Sequence, residues 1–221
     1  IKQKQLKTFE ELGVSAEIRQ AIEELGYEHP MPVQEEVIPY LLGVNNDVVA
    51  LAQTGTGKTA AYGLPILQKV DAGRTETQAL ILSPTRELCL QIADDLENYS
   101  KYLPGVRVLP VYGGTNIESQ IRSLRKGVQV IVATPGRLID LMERKAASLD
   151  KVQNVILDEA DEMLNMGFQE DIETILKDVP ETRRTLLFSA TMPNEIAKIS
   201  RQYMYDAAEI SIGTRNAGSD N

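Results

Sequence analysis

The residues with the most chemistry to offer are Ala52-Gln53-Thr54-Gly55-Thr56-Gly57-Lys58-Thr59. An apolar run, Asp47 to Leu51, precedes them and reads as a buried strand. A helix-compatible run, Thr59 to Val70, follows. Strand, glycine-rich turn, Lys-Thr and helix is the context that a phosphate-binding loop requires. Gly55 and Gly57 allow a tight turn, so that successive backbone N–H groups can point at one anion. The helix start adds its positive dipole end. Lys58 can reach the β- and γ-phosphates, and the Thr59 hydroxyl can ligate Mg²⁺. The usual pattern opens with glycine, whereas this one opens with Ala52.

A second cluster has matching chemistry. Val152 to Leu157 reads as a hydrophobic strand ending in Asp158-Glu159-Ala160-Asp161. Asp158 at the strand end can hold Mg²⁺, directly or through water. Glu159 can orient or deprotonate an attacking water. On its own, an acidic helix start is common because carboxylates suit that end of the dipole. Paired with a phosphate loop, it reads as the other half of a nucleotide site. Thr185 to Phe188 leads into Ser189-Ala190-Thr191. If that strand lies between the loop strand and the acidic strand, Ser189 and Thr191 stand beside the γ-phosphate. The same tripeptide could instead cap the helix after Pro193.

These groups need a scaffold, and the pattern supplies one. Short apolar runs occur at Ala79 to Leu82, Val106 to Val111, Val128 to Ala133, Val152 to Leu157, Thr185 to Phe188 and Glu209 to Ile212. They lack strict alternation, as strands covered on both faces do. Helix-patterned stretches separate most of them. In Arg86 to Tyr99, the residues Leu88, Ile92, Leu96 and Tyr99 share one side. Alternating strands and helices imply an α/β fold with a mainly parallel sheet covered by helices on both faces. Ser15 to Leu25 reads as an amphipathic helix capped by Ser15 and ended by Gly26. A rigid turn through Gly26 to Gln34 leads to another helix, in which Pro39 is a potential kink.

Composition narrows the function. The chain has 221 residues with 43% hydrophobic content, which suits one α/β domain. No apolar run approaches a membrane span, and Ile1 to Lys7 does not read as a signal peptide. The single cysteine, Cys89, excludes an internal disulfide and fits a reducing, cytoplasmic compartment. It reads as a small core residue. The only histidine, His29, argues against a histidine triad or a multi-histidine metal site. A net charge of −9 argues against nucleic-acid binding by bulk positive charge, but leaves room for a local groove.

With these motifs in order, the chain resembles the DEAD-box RNA helicases over roughly Phe9 to Ile212. Gly26 to Gln34 resembles the adenine-reading Q motif, with Phe9 upstream as the family's aromatic. Ala52 to Thr59 resembles motif I, whose family form does open with Ala. Pro84-Thr85-Arg86-Glu87-Leu88 resembles motif Ia. Gly113-Gly114 and Thr134-Pro135-Gly136-Arg137 resemble the GG and Ib motifs. Asp158 to Asp161 spells the name motif, and Ser189 to Thr191 resembles motif III. Met31 stands where the family usually has Thr, which removes a hydroxyl from the Q motif. The wording of Asp158 to Phe168 resembles bacterial members of the cold-shock and ribosome-assembly type.

The resemblance implies a RecA-like phosphate-loop domain that uses ATP and Mg²⁺. Gln34 would read adenine, and Phe9 or Tyr27 would cover the base. Gln53, Thr54, Gly55, Thr56, Gly57, Lys58, Thr59 and Ala60 would wrap the phosphates, with Thr59 and Asp158 on the metal. Glu159 would activate water, assisted by Lys58, Asp158, Ser189 and Thr191. Asp161 would be a hydrogen-bond partner within that group. Arg86, Gly114, Thr134 and Arg137 would meet the RNA backbone, and the helix from about Arg137 to Arg144 would bend one strand. Residues 1–212 would form this domain, with the Q motif at 9–34, and residues 213–221 a linker or tail. A second RecA-like domain of the same polypeptide, with its arginine fingers, would be needed for full activity. The isolated chain is expected to be a monomer that binds nucleotide but turns it over poorly. Two other readings remain open: a non-enzymatic ATP-gated clamp for RNA or protein, and another phosphate-loop enzyme such as a small-molecule kinase.

Overall fold

The computed structural model describes residues 6–43, 46–53 and 57–212. The strands are β1 (Val48–Ala52), β2 (Ala79–Leu82), β3 (Val108–Val111), β4 (Val130–Ala133), β5 (Asn154–Leu157), β6 (Arg184–Ser189) and β7 (Ala208–Ile212). They form one sheet in the order β3-β4-β2-β5-β6-β1-β7, and every pairing in it is parallel. The helices are α1 (Ala16–Glu24), α2 (Pro32–Leu42), α3 (Lys58–Lys69), α4 (Arg86–Tyr99), α5 (Ile117–Lys126), α6 (Pro135–Glu143), α7 (Ala160–Asn165), α8 (Gln169–Asp178) and α9 (Asn194–Tyr203).

The sheet separates two apolar cores because successive side chains of a strand point to opposite faces. Val48 and Ala50 of β1, with Ala79 and Ile81 of β2, join one core with α1 to α4 through Ile18, Val37, Leu64 and Leu96. Val49 of β1, with Leu80 and Leu82 of β2, joins the other with α5 to α9 through Ile121, Leu138, Met163, Ile172 and Ile196. The central strands therefore carry continuous apolar runs, as expected, with polar residues only at their ends: Asn154 in β5, and Arg184, Thr185 and Ser189 in β6. The edges behave differently. β3 is mostly half-buried and β7 alternates between half-buried and exposed, so the expectation of double cover fails at both rims. Pro110, which has no N–H to donate, is tolerated in β3 because that strand has a neighbour on one side only.

The expected helices form, with small differences at their ends. Ser15 does precede α1 in extended conformation, but its side chain makes no cap bond. Its backbone N–H instead donates to Gln68 Oε1 at 2.9 Å, which ties α1 to α3. α2 continues through Pro39. The last carbonyls of α2 are taken up by a guanidinium: Arg184 donates to Tyr40 O, Leu41 O and Gly43 O. A cation at a helix C-terminus suits both the orphan carbonyls and the dipole. Helices α3 and α4 approach closely at Gly63, where an added Cβ would lie 2.6 Å from Leu96 Cδ2. Cys89 faces the core with no exposed surface, and burial pushes its thiol up to about 12, which leaves it unreactive.

Candidate functional site

Each sequence-derived site residue that the structure describes, apart from those of the adenine motif, lies within a few positions of a strand's carboxyl end. That edge is where ligands bind in open parallel sheets. The loop from β1 leads through Gly57 to Lys58 and Thr59. β5 ends at Asp158 and Glu159, and β6 ends at Ser189. β2 leads to Arg86, β3 to Gly114, and β4 to Thr134 and Arg137. The strand order then divides them. The phosphate and acidic residues sit on neighbouring strands β5, β6 and β1, and the other group on β3, β4 and β2. Strand β6 does lie between the loop strand and the acidic strand, and Ser189 is in register with Leu51.

The centre of the first group is an ion pair. Lys58 Nζ stands 3.1 Å from Asp158 Oδ1 and 3.7 Å from Glu159 Oε1. Lys58 and Asp158 are both buried. The Tyr62 hydroxyl donates to the other oxygen, Asp158 Oδ2, at 2.9 Å. Lys58 also lies 6.0 Å from the centre of the Phe188 ring. The lysine that would meet phosphates pairs with the carboxylate that would meet the metal. Glu159 is half-buried and caps α7 with φ +50° and ψ +50°, a left-handed conformation that is costly for a non-glycine residue. Burial raises its carboxyl above the usual range, and Lys58 opposes that rise. Gly57 holds φ +88°, and a Cβ there would lie 2.9 Å from Gln34 Nε2, so the position demands glycine on both counts. Ala60 is buried in the first turn of α3 and Gln53 is exposed. Thr54, Gly55 and Thr56 lie outside the described residues.

Residues Thr59 and Asp158 fit Mg²⁺. Both offer oxygen, the donor that this hard cation takes, and two protein ligands suffice when phosphates and water complete the shell. No group of three or more His, Cys, Asp and Glu side chains among the described residues could hold a metal ion.

Beside the loop, a cavity of about 490 Å³ is lined by Phe9, Gly26, Tyr27, Glu28, His29, Met31, Gln34 and Gly57. Gln34 is almost fully buried beneath it. Its Oε1 accepts from Met31 N–H at 2.9 Å, and its Nε2 donates to Gly57 O at 3.2 Å. Each amide atom keeps one hydrogen-bond position in hand. Met31 contributes its backbone to this arrangement, while its side chain has no hydroxyl to accept from the helix start. The Tyr27 and Tyr99 hydroxyls meet at 3.0 Å, which joins the cavity wall to the end of α4.

At the end of β6, Ser189 Oγ donates to Thr191 O at 2.5 Å. Thr191 donates to Asp161 Oδ2 from its N–H at 3.2 Å and its hydroxyl at 3.0 Å. The tripeptide therefore binds the acidic segment and does not cap the last helix, whose N-cap is Pro193.

The second group forms a separate surface. The Arg86 guanidinium stacks over the Tyr112 ring at 4.9 Å. Arg137 donates to Gln120 Oε1 and Thr115 O, both at 3.1 Å, and Gln120 Nε2 donates to Tyr112 O at 3.3 Å. Gly114 holds φ +82° with open space around it. The Thr134 hydroxyl makes no cap bond. Tyr62, Tyr112 and Gln120 were not singled out from the sequence. Tyr62 sits three residues beyond Thr59, one helical turn along the same face, and that spacing was the available signal.

A parallel sheet with a phosphate loop after β1, an acidic strand end at β5 and one strand between them defines a RecA-like nucleotide-binding domain. The chain belongs to the DEAD/DEAH box helicase family, whose model matches residues 31–199. It is 49% identical over 216 residues to the DEAD-box ATP-dependent RNA helicase CshA of Bacillus cereus, covering 98% of this chain and 41% of that protein. It is also 49% identical over 205 residues to the ATP-dependent RNA helicase DeaD of Escherichia coli, covering 93% of this chain and 32% of that one. The crystal structure of a DEAD box protein from the hyperthermophile Methanococcus jannaschii matches with a TM-score of 0.89 at 43% identity. It covers 93% of this chain and 56% of that one. The chain thus spans a third to two-fifths of the length of the curated relatives it matches.

Proposed function

We propose that this chain is the ATP-binding domain of an ATP-dependent RNA helicase, coupling ATP hydrolysis to local unwinding of RNA or remodelling of RNA–protein complexes. The observation that carries the reading is the Lys58–Asp158–Glu159 cluster set between β1 and β5. Lys58 and the loop amides bind phosphate, and Thr59 and Asp158 would hold Mg²⁺, which would supply charge neutralisation for the phosphates. Glu159 takes a proton from the attacking water. A half-exposed carboxylate whose affinity for protons is raised by burial suits that role. Gln34 reads adenine, and Phe9 and Tyr27 flank it. Ser189, Thr191 and Asp161 link the γ-phosphate region to the neighbouring strand end.

On the other half of the edge, Arg86, Gly114, Thr134 and Arg137 contact the RNA backbone, which gives binding independent of sequence. Residues 1–212 act as one domain, and residues 213–221, outside the described part, act as a linker. A second RecA-like domain supplies arginine fingers, worth about 10³–10⁵ in rate in well-studied NTPases. The isolated chain is accordingly a cytoplasmic monomer with slow turnover. No helix among the described residues is long and apolar enough to cross a membrane.

The test is ATP turnover by this chain alone, with RNA, and with RNA plus a separately made second domain. Activity that appears only in the last mixture supports the reading. Tight ATP binding with no turnover in any mixture would instead make the protein an ATP-gated clamp.

A further inference from the structure

We propose that Tyr62 is a positioning residue for Asp158, with its hydroxyl holding one carboxylate oxygen so that the other is presented to Mg²⁺. This inference rests on the nucleotide-site reading above. Tyr62 stands in the second turn of α3 and is fully buried. Its hydroxyl donates to Asp158 Oδ2 at 2.9 Å. Tyr62 and Asp158 come from elements that are distant in sequence, α3 and the end of β5. The helix that carries Lys58 and Thr59 thus also reaches, through this phenol, the carboxylate that would hold the cation.

The direction of this bond matters. Tyr62 donates its proton to Asp158 Oδ2, and a carboxylate with one oxygen held leaves the other for its second partner. That other oxygen, Oδ1, faces Lys58 Nζ at 3.1 Å. When Lys58 moves to the phosphates, Oδ1 becomes available while Tyr62 keeps Oδ2 in place. Metal sites use outer partners of this kind to fix ligand orientation. A carboxylate only accepts, so the phenol is the donor in this pair. The ring is itself fixed by Phe188 of β6, at a centroid distance of 5.8 Å. If Tyr62 were only core filling, a phenylalanine would serve as well, without the cost of burying a hydroxyl.

Tyr62→Phe keeps the ring and removes the hydroxyl. Binding of a fluorescent ATP analogue is titrated with Mg²⁺ and repeated in EDTA, alongside thermal unfolding. The expected result is unchanged affinity in EDTA, a Mg²⁺ half-saturation raised about 10-fold, and an effect that vanishes in an Asp158→Asn background. An equal Mg²⁺ requirement in Tyr62→Phe and wild type overturns the proposal alone. So does a lowered Tm with the Mg²⁺ requirement unchanged, because that marks a packing role. Wild-type binding that ignores Mg²⁺ overturns the nucleotide-site reading and this proposal with it.

Discussion

Lys58 Nζ and Asp158 Oδ1 lie 3.1 Å apart in a buried position, joining the start of α3 to the end of β5. Each neutralises the other. Removing one partner strands the other charge out of water, at a cost of about 3–5 kcal/mol. Lys58→Met should therefore lower Tm by roughly 6–20 °C for a chain of this size, as well as removing nucleotide affinity. The double variant Lys58→Met, Asp158→Asn should regain much of the stability and none of the binding. Differential scanning calorimetry with nucleotide titration checks both, and a double variant no more stable than Lys58→Met would contradict the pairing.

Gln34 makes a specific claim about base selection. Its amide spends one hydrogen bond on Met31 N–H and another on Gly57 O. The remaining N–H and lone pair match the acceptor and donor side by side on adenine, whereas guanine shows two acceptors there. Gln34→Ala should cut the preference for ATP over GTP by about 10- to 100-fold, corresponding to about 1–3 kcal/mol. Competition binding against a labelled ATP analogue measures this, and an unchanged preference would remove Gln34 from base recognition.

Much of this site was legible in the sequence because local chemistry fixed it. The Gly-Lys-Thr turn needs little beyond its own strand and helix, and Asp158 follows an apolar run that only a central strand explains. The relations between motifs were less accessible. That Thr191 binds Asp161 depends on β6 lying next to β5, a matter of strand order that no local period encodes. Tyr112 and Gln120 look like ordinary loop and helix residues until β3, α5 and α6 converge, and only then do they hold Arg86 and Arg137. The covered strands were recognisable from their continuous apolar runs. The half-open rims were not, because short runs such as Val106 to Val111 read alike in the middle of a sheet and at its edge.

Arg137 and Arg86 should contribute to RNA binding in a way that salt can count. Both guanidiniums are held in place, one by Gln120 and Thr115 and the other by the Tyr112 ring. Holding them lowers the entropy cost of meeting a phosphate. Arg137→Ala should weaken binding of unrelated single-stranded RNAs to a similar extent and reduce the slope of log K against log salt by about 1. Arg86→Ala should do the same. A loss confined to one RNA sequence would point to base contacts instead, and would displace the backbone reading.

Glu159 ties catalysis and stability to the same proton. Burial raises its carboxyl above the usual range, against the pull of Lys58. A carboxyl whose folded value is raised binds its proton more tightly in the folded chain. Its stabilising share is complete below the unfolded value and is lost as pH rises through the folded one. Wild-type stability should therefore decline across that acidic window, and Glu159→Gln, which stays neutral, should show a flatter profile and be the more stable variant at neutral pH. Turnover should move the opposite way, because the base acts only when ionised. With RNA and the second domain supplied, the acidic limb of the rate should lie above the usual carboxylate range and vanish in Glu159→Gln, with turnover down about 10²- to 10⁴-fold. Nucleotide binding should survive, since Lys58 and Thr59 remain in place. Denaturant unfolding and turnover, both followed from pH 4 to pH 8 on the two proteins, bring the two effects together (roughly the span over which a raised carboxyl titrates). A Glu159→Gln variant with wild-type turnover would make this carboxylate structural, and the left-handed backbone at its position would then be strain without a catalytic return.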